Sequence, residues 1–457
     1  MKNSLHFKQF NNDPRVKEAK ALLLDALSDH QSKLTKVKSP QDYLKKSYSN
    51  LIDNFSKKRG GNLFYPYLSS GFGNGALVEL ADGSVKYDFI SGIGAHFSHL
   101  DPDCVAASID ASMQDTIMQG NLQQNVSSVK LVQKLTQLSK LDHAFLTTSG
   151  AMAVENGLKL AMQKNSPASR VLAFQGCFMG RTLACASITD KDAYRKGIPT
   201  TLNVDYLPFY NSKKPDQSTA RTLKKLYTYL TRYPGQYACM CFELIQGERG
   251  YFPGSTAFFT AIMTVLKKHN VAIFVDEIQS FGRLDTPFAF QHFGLEKFID
   301  IVTVGKLSQV CATLFNKNYK PQPGLISQTF TSSTVAIESS LTILNKMEKE
   351  AYWGPKGKIM TLSNQFRNGL KALHKKYPKR VNGPYGYGGM LVFTLDDGSK
   401  ENTVAFIKHL YSMGLMSFIA GANPTRVRFL MPIGGVNKIV IKEVLSLLES
   451  AIKAFKN

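Results

Sequence analysis

The chain of 457 residues is 43% hydrophobic and 20% charged, a balance typical of folded proteins and not of disordered ones. Its length suffices for two or three domains. No apolar stretch approaches the roughly 18 residues that a membrane-spanning helix needs, and the start of the chain lacks the apolar core of a signal peptide. We therefore expect a cytoplasmic protein with no membrane partner.

The charge balance is strongly basic, with 56 Lys and Arg against 34 Asp and Glu and a formal net charge of +22. Such a charge attracts anions, whether nucleic acids, phosphorylated cofactors or carboxylate substrates. The basic residues are scattered and not interleaved with aromatic residues on one element, which favours a solvated basic surface over a nucleic-acid site. The six cysteines form neither a disulfide framework nor a C-x-x-C pair, so no metal site is expected.

The first part of the chain reads as helical and then as a hairpin. Residues 1–60 form a polar, helical N-terminal extension, with an apolar stripe at 21–24 and a second helix opened by Ser39-Pro40. Two alternating runs follow, joined by the turn pair Asp82-Gly83, which predicts an antiparallel hairpin.

The middle of the chain alternates short apolar strands with helices, the pattern of an α/β protein. Such strands are buried on both faces, so they predict a mainly parallel sheet with helices on both sides. The pattern after Trp353 is that of a smaller α+β domain. The predicted strands are 144–147, 171–174, 239–245, 271–275 and 299–304. The predicted division is an extension at 1–60, a small domain at 61–98 and 345–457, and a large domain at 99–344.

Ligands of parallel sheets bind beyond the carboxyl ends of the strands, so the residues that end each strand are the candidates for a site. The first strand ends before Ser149, Gly150 and Ala151, which open a helix. Backbone N–H groups and a hydroxyl at a helix start suit a phosphate. A serine that only caps the helix is the simpler alternative.

A carboxylate and a lysine end two further strands. Asp276 follows five apolar residues, so its charge should be buried and should need a cationic partner. Lys306 ends the next strand 30 residues later, a spacing that fits one strand-helix-strand unit. A simple ion pair would explain these two residues alone. Together with a phosphate-ready helix start, they suggest a Schiff-base lysine beside a protonated pyridine, as in a pyridoxal-phosphate site.

From about residue 60 to 455 the sequence resembles the class III aminotransferases of the fold-type I pyridoxal-phosphate superfamily, especially the ornithine and acetylornithine branch. Five motifs carry the resemblance in order and spacing. They are Ser149-Gly150-Ala151-Met152-Ala153-Val154-Glu155-Asn156, Gly176-Cys177-Phe178-Met179-Gly180-Arg181-Thr182, Glu243-Leu244-Ile245-Gln246-Gly247-Glu248, Val275-Asp276-Glu277-Ile278-Gln279 and Gly305-Lys306.

The resemblance implies a role for each matching residue. Lys306 would hold pyridoxal phosphate and move the proton, and Asp276 would keep the pyridine nitrogen protonated. Gln279 would contact the ring hydroxyl, and Phe178 would stack on the ring. The remaining cofactor-binding residues would be Ser149, Gly150, Ala151 and Glu243, together with Thr329 from the partner subunit. The resemblance therefore implies a homodimer with shared active sites.

The substrate residues implied by the resemblance are two arginines and one acid. Arg428 matches the family's carboxylate-binding arginine, and a planar guanidinium can hold a carboxylate through two hydrogen bonds. Glu248 matches the acid that pairs with this arginine when a donor with a distal amine binds. Arg181 matches the arginine that holds the α-carboxylate of ornithine, although it could simply cap a helix.

Departures from the family pattern leave the identity of the amino donor open. Met179 stands where relatives carry His or Trp, and Thr331-Ser332-Ser333-Thr334 replaces a Gly-Gly-Asn-Pro turn. Arg249 replaces a small residue, and it could give Glu248 a second partner or point to solvent. We expect Asp101 to cap a helix with Pro102 at its first position, and not to bind metal.

The sequence as a whole predicts an aminotransferase that moves an amino group from a basic ω-amino acid, such as ornithine or acetylornithine, to a 2-oxo acid such as 2-oxoglutarate. An aminomutase or epimerase on the same scaffold would use the same lysine and aspartate. A basic nucleic-acid-binding protein that retained the fold is the alternative from another class, and the intact Lys306 and Asp276 pair argues against it.

Overall fold

The computed structural model describes residues 5–455. Its helices are α1 (His6–Asn11), α2 (Pro14–Gln31), α3 (Asp42–Arg59), α4 (Ser91–Gly94), α5 (Pro102–Ser112), α6 (Val126–Ser139), α7 (Gly150–Lys164), α8 (Leu183–Ile188), α9 (Pro215–Arg232), α10 (Gly247–Gly250), α11 (Thr256–Lys268), α12 (Ala289–His292), α13 (Thr334–Lys349), α14 (Lys358–Lys376), α15 (Lys400–Ser412) and α16 (Lys438–Ala454).

The strands of the same residues are β1 (Ser69–Asn74), β2 (Leu77–Leu80), β3 (Val85–Asp88), β4 (Met118–Gln119), β5 (His143–Thr147), β6 (Arg170–Phe174), β7 (Asn203–Leu207), β8 (Tyr237–Phe242), β9 (Ile245–Gln246), β10 (Phe252–Pro253), β11 (Ala272–Asp276), β12 (Ile301–Val304), β13 (Cys311–Phe315), β14 (Ser332–Ser333), β15 (Val381–Tyr387), β16 (Met390–Leu395), β17 (Leu415–Met416), β18 (Phe418–Ala420) and β19 (Arg426–Leu430).

One compact unit comprises residues 116–360 and 385–388 and contains a seven-stranded sheet in the order β5-β13-β12-β11-β8-β6-β7. Strands β7, β6, β8, β11 and β12 run parallel to one another, whereas β13 is antiparallel to both of its neighbours. This arrangement confirms the predicted mainly parallel sheet. The predicted strand at 239–245 is divided in the structure: β8 ends at Phe242, and the short strand β9 begins at Ile245.

Two strands of this sheet, β7 and β13, were absent from the prediction. The outermost strand, β7, is only partly buried and includes polar residues, so it lacks the continuous apolar run of an interior strand. Strand β13 follows β12 with only the one-turn 3-10 helix Lys306–Ser308 between them, which breaks the strand-helix rhythm on which the prediction relied.

The other unit comprises the described residues up to 115, 361–384 and 389–455. It contains two four-stranded sheets, in the orders β1-β2-β3-β17 and β15-β16-β19-β18. The predicted hairpin is confirmed as β2 and β3, which pair antiparallel around the Asp82-Gly83 turn. The Asp101 carboxylate caps α5 by accepting from the backbone of Asp103 and Cys104, as predicted, with Pro102 in the first turn.

The predicted N-terminal helices are α2 and α3, with the short α1 before them. Helix α3 begins at Asp42, close to the predicted Ser39-Pro40 start. Among residues 5–455, no helix is both long and apolar enough to cross a membrane.

Candidate active site

The strand ends and the start of α7 meet at one cavity of about 310 Å³ within the unit that holds the large sheet. This cavity contains most of the residues that the sequence singled out. Its lining residues are Gly150, Ala151, Phe178, Met179, Gly180, Arg181, Glu243, Asp276, Ile278, Gln279, Lys306 and Cys311.

Asp276 is the last residue of β11 and is buried in the cavity floor formed by the strand ends. Burial raises the pKa of its carboxyl to about 6, while the Ile278 N–H, which donates to Oδ1 at 2.9 Å, and the charge of Lys306 oppose the rise. Because β11 pairs with β12 in register at Asp276 and Thr303, the lysine that follows β12 comes to the neighbouring strand end. The predicted juxtaposition of Asp276 and Lys306 at adjacent strand ends is therefore confirmed.

Lys306 lies at a sharp turn between β12 and β13. Its backbone has φ = 54°, a left-handed conformation that costs free energy in a residue other than glycine. The preceding Gly305 leaves room for this turn, since a Cβ atom there would lie 2.9 Å from Cys311 Sγ. Burial raises the pKa of the Cys311 thiol to about 11, so this wall of the cavity stays uncharged at neutral pH.

The start of α7 forms a further wall. Ser149 caps the helix by accepting from the Met152 N–H at 3.2 Å, the simpler alternative considered from the sequence, and the 15 residues of α7 direct the positive end of the helix dipole toward the cavity. Gly150 cannot be replaced without a shift, because a Cβ atom would lie 2.7 Å from Ile278 Cδ1. The backbone at Gly150 therefore packs closely against Ile278, and the first N–H groups of α7 lie at the cavity. This geometry is suited to a phosphate.

Glu243 fastens two segments of the cavity wall to the end of β8. Its carboxyl oxygens accept from the backbone N–H of Phe178 at 3.0 Å and from that of Gly247 at 2.8 Å. Burial raises the pKa of Glu243 to about 8, although these two N–H groups act in the opposite direction. The position of Phe178 thus depends on a buried acid one strand away.

Gln279 carries the feature that best fits a bound cofactor. Its side chain is buried, and Oε1 has no hydrogen-bond partner among the described residues. Such an orphaned acceptor costs free energy unless a ligand supplies a donor. With a buried acid at Asp276, an amine at Lys306 and a helix start at Gly150, the cavity fits pyridoxal phosphate, which carries a hydroxyl, a basic ring nitrogen, an aldehyde and a phosphate.

Four predicted residues are not in the lining of this cavity, as far as residues 5–455 show: Ser149, which lies next to it as the cap of α7, and Thr329, Glu248 and Arg428. Thr329 is exposed and belongs to a segment in which the Gln328 carbonyl accepts from the Asn121 N–H at 3.0 Å. Glu248 lies on α10 in the same unit and is partly buried. Arg428 lies on β19 in the other unit and is fully buried, so it is not a surface arginine.

The departures from the family pattern have local structural reasons. Met179 packs in the core, where its sulfur accepts from the Cys241 thiol at 3.3 Å. Arg249 is an exposed residue, and its Nη1 donates to the Gln175 carbonyl and to Gln246 Oε1, each at 3.0 Å. Arg249 therefore braces the segment that leads to Phe178.

The substituted turn at 331–334 forms the short strand β14 and the start of α13. Thr331 donates through its backbone N–H to the Gln119 carbonyl at 2.7 Å, and Ser333 caps α13. The hydroxyl of Thr334 accepts from Gln119 Nε2 at 2.8 Å. Polar side chains here replace a glycine turn with a hydrogen-bonded ladder.

Sequence reasoning missed Ile278 and Cys311 as cavity residues. The position of Ile278 between two singled-out residues, Asp276 and Gln279, was a usable signal. The sequence offered no such signal for Cys311, because its position in the cavity depends on β13, a strand that the sequence pattern did not predict.

Comparison with known proteins agrees with this geometry. The family model Aminotransferase class-III matches residues 64–452. The acetylornithine aminotransferase of Bacillus subtilis is 30% identical over 390 residues, which cover 83% of this chain and 93% of the relative. That of Archaeoglobus fulgidus is 26% identical over 381 residues, which cover 81% of this chain and 92% of the relative.

Solved structures share the fold. A lysine aminotransferase from M. tuberculosis superposes with a TM-score of 0.78 at 21% identity, covering 88% of this chain and 98% of that one. An ornithine aminotransferase from Toxoplasma gondii ME49 gives a TM-score of 0.76 at 20% identity, covering 91% and 99%. The chain therefore belongs to the class-III aminotransferases, pyridoxal-phosphate enzymes of fold type I that move an amino group from an amino-acid substrate to a 2-oxo acid.

Proposed function

We propose that the cavity at Lys306 is the site at which this aminotransferase holds pyridoxal phosphate and exchanges amino groups. Bound there, the cofactor supplies an electron sink for the bonding pair released when a C–H bond beside an amine is broken. Lys306 Nζ would hold the cofactor covalently and, once released, carry the proton to and from the substrate carbon. The observation that carries the proposal is the meeting of Lys306, Asp276 and the start of α7 at one cavity.

Asp276 is proposed to hold a proton on the ring nitrogen. Its pKa of about 6 arises mainly from burial, and a cationic ring nitrogen beside it would lower that pKa and leave the acid ionised. Replacing Asp276 with Ala should lower turnover about 100-fold or more, since a neutral ring is a poorer electron sink. Near-normal turnover of the Asp276→Ala variant would contradict this role of Asp276.

The other cofactor contacts are proposed from geometry and resemblance together. Gln279 Oε1, which lacks a partner among the described residues, would accept from the ring hydroxyl, and Phe178 would stack on the ring. Glu243 would act by holding the Phe178 backbone. Ser149, Gly150 and Ala151 would bind the phosphate.

For the donor, we propose a basic ω-amino acid such as ornithine or acetylornithine, with 2-oxoglutarate as acceptor. Two relatives that align over most of this chain bear the name acetylornithine aminotransferase, which supports this choice. Arg181 and Arg428 are proposed to bind substrate carboxylates, and Glu248 to adjust the site when donor and acceptor differ in charge. The predicted division into an N-terminal extension up to residue 60, a small domain and a large domain stays part of this proposal.

A homodimer with shared active sites is also proposed. Six apolar side chains in the segment 117–129 and at 330, next to Thr329 in the chain, are each between 40% and 97% exposed, and we propose that they form one apolar patch, which is costly to leave in water. The patch residues are Ile117, Met118, Leu122, Val126, Val129 and Phe330. A second copy seated on the patch would cover it and would bring Thr329 to the partner's phosphate.

A donor panel tests the proposed function. Each amine is added to the cofactor-loaded protein, and the loss of cofactor absorbance reports the first half-reaction without knowledge of the product. We expect ω-amino acids to bleach the cofactor and 2-oxoglutarate to restore it, with stoichiometric consumption of the 2-oxo acid. Turnover of an amino acid with no 2-oxo acid consumed would instead indicate an aminomutase or epimerase.

A further inference from the structure

Arg181 lines the cavity, and its neighbours are aromatic rings. Its guanidinium carbon lies 3.8 Å from the centre of the Tyr194 ring and 6.0 Å from that of Phe178. Among residues 5–455, no carboxylate forms an ion pair with Arg181. Tyr194 is thus the contact that orients this arginine.

Tyr194 is itself held in place. Lys191 Nζ donates to its hydroxyl at 2.9 Å and lies 4.2 Å from the ring centre, while the ring stands at 86° to that of Phe178 with 6.0 Å between centres. At the end of the short helical turn Asp192–Tyr194 that carries it, Arg195 donates to Asp192 at 3.0 Å and to the Thr189 carbonyl at 3.4 Å.

The segment is also tied to the cavity wall. Just before it, the Asp190 carboxylate accepts from the Gly176 N–H at 2.7 Å, and Gly176 opens the motif that contains Phe178 and Arg181. The Tyr194 ring therefore belongs to the same braced structure as the wall of the cavity.

An aromatic ring and a carboxylate orient an arginine with different consequences. A carboxylate would neutralise the guanidinium and occupy the donors that a substrate carboxylate needs. A ring attracts the cation through its quadrupole and leaves the N–H groups at the guanidinium edge available. The arrangement around Arg181 is therefore suited to an arginine that must bind an incoming anion.

We propose that Tyr194 is a positioning residue that holds the Arg181 guanidinium ready for a substrate carboxylate, and so selects donors that carry a carboxylate remote from the reacting amine. This inference rests on the proposed function, because it names the recognition of a donor by that same site. It assigns no chemical step to Tyr194.

The test measures carboxylate binding to the cofactor-loaded protein by calorimetry, with pentanoate as the probe. A cation–π contact at an exposed site corresponds to a change of about two- to fivefold in Kd. Tyr194→Leu should weaken pentanoate binding by that factor, whereas Tyr194→Phe, which keeps the ring, should restore binding to within about twofold of the wild type. In an Arg181→Gln background, Tyr194→Leu should have no further effect.

Steady-state kinetics supplies a second readout. Tyr194→Leu should raise KM for ornithine with kcat nearly unchanged, and it should leave 1,4-diaminobutane, which lacks the carboxylate, unaffected. Equal effects of the Leu and Phe variants, a loss that persists in the Arg181→Gln background, or no pentanoate binding by the wild type would overturn the inference. A protein that transaminates no donor would refute the proposed function, while the pentanoate measurement would still decide the role of Tyr194.

Discussion

Glu243 offers a sharp test of how the cavity is held together, because one buried carboxyl group accepts from the backbone of two separate segments, at Phe178 and Gly247. Glu243→Ala would leave both buried N–H groups without this acceptor. Each unpaired buried donor costs about 1–3 kcal/mol, so the free energy of unfolding should fall by on the order of 2–6 kcal/mol. Glu243→Gln keeps one acceptor oxygen and should lose about half as much.

The pH dependence of stability tests whether the Glu243 side chain is a buried acid that titrates with a raised pKa or only fills space at this position. The pKa of Glu243 is raised from 4.5 to about 8, so between these values the folded protein retains a proton that the unfolded chain releases. This stabilisation is complete below pH 4.5 and is lost as the pH rises toward 8. One such proton corresponds to a slope of at most about 1.4 kcal/mol per pH unit.

The assay is urea unfolding of the cofactor-free protein at intervals from pH 5 to 8.5. In wild type, the free energy of unfolding should decline as the pH rises, and Glu243→Gln should make this decline less steep by up to the slope that one proton contributes. Part of the decline should remain in the variant, because burial also raises the pKa values of Asp276 and Glu277. Glu401→Gln, at an exposed position on α15, is the control for loss of a carboxylate. Identical slopes in wild type and Glu243→Gln would refute the reasoning.

Three further predictions concern packing, assembly and substrate charge. Gly157→Ala should lower the free energy of unfolding by about 1–3 kcal/mol, because its Cβ atom would lie 2.4 Å from Phe274 Cζ, whereas Gly61→Ala, with no atom within 4 Å, should be nearly neutral in the same denaturation assay. Leu122→Asp should give an inactive monomer by sedimentation, and an active monomer would refute the shared site. Glu248→Ala should slow the ω-amino donor half-reaction while sparing glutamate in single-turnover absorbance; an equal loss in both would mean a structural role.

The sequence predicted best where the physical signal is local and continuous. Asp276 could be placed because an acid that ends five apolar residues must lie at a buried strand end, and Ser149 because a serine before an apolar helix is a typical cap. Lys306 followed from the spacing of one strand-helix-strand unit. Each of these signals lies within a short segment of sequence and does not depend on contacts with distant segments.

What could not be predicted depends on contacts between distant segments. The acceptor role of Glu243 toward Phe178 joins residues 65 positions apart, and no spacing rule connects them. Tyr194 comes to Arg181 only through the turn that follows α8. Cys311 reaches the cavity because β13 inserts antiparallel beside β12, a pairing that the strand-helix rhythm conceals.

The most direct test of the central claim is the visible spectrum of the purified protein with added pyridoxal phosphate, compared between the wild type and Lys306→Ala. The account predicts that the wild type turns yellow, with a spectrum that changes when an amino donor is added. It predicts that Lys306→Ala still binds the cofactor through the phosphate but supports no turnover. A wild-type protein that stays colourless with added cofactor, or a Lys306→Ala variant that turns over normally, would contradict the account.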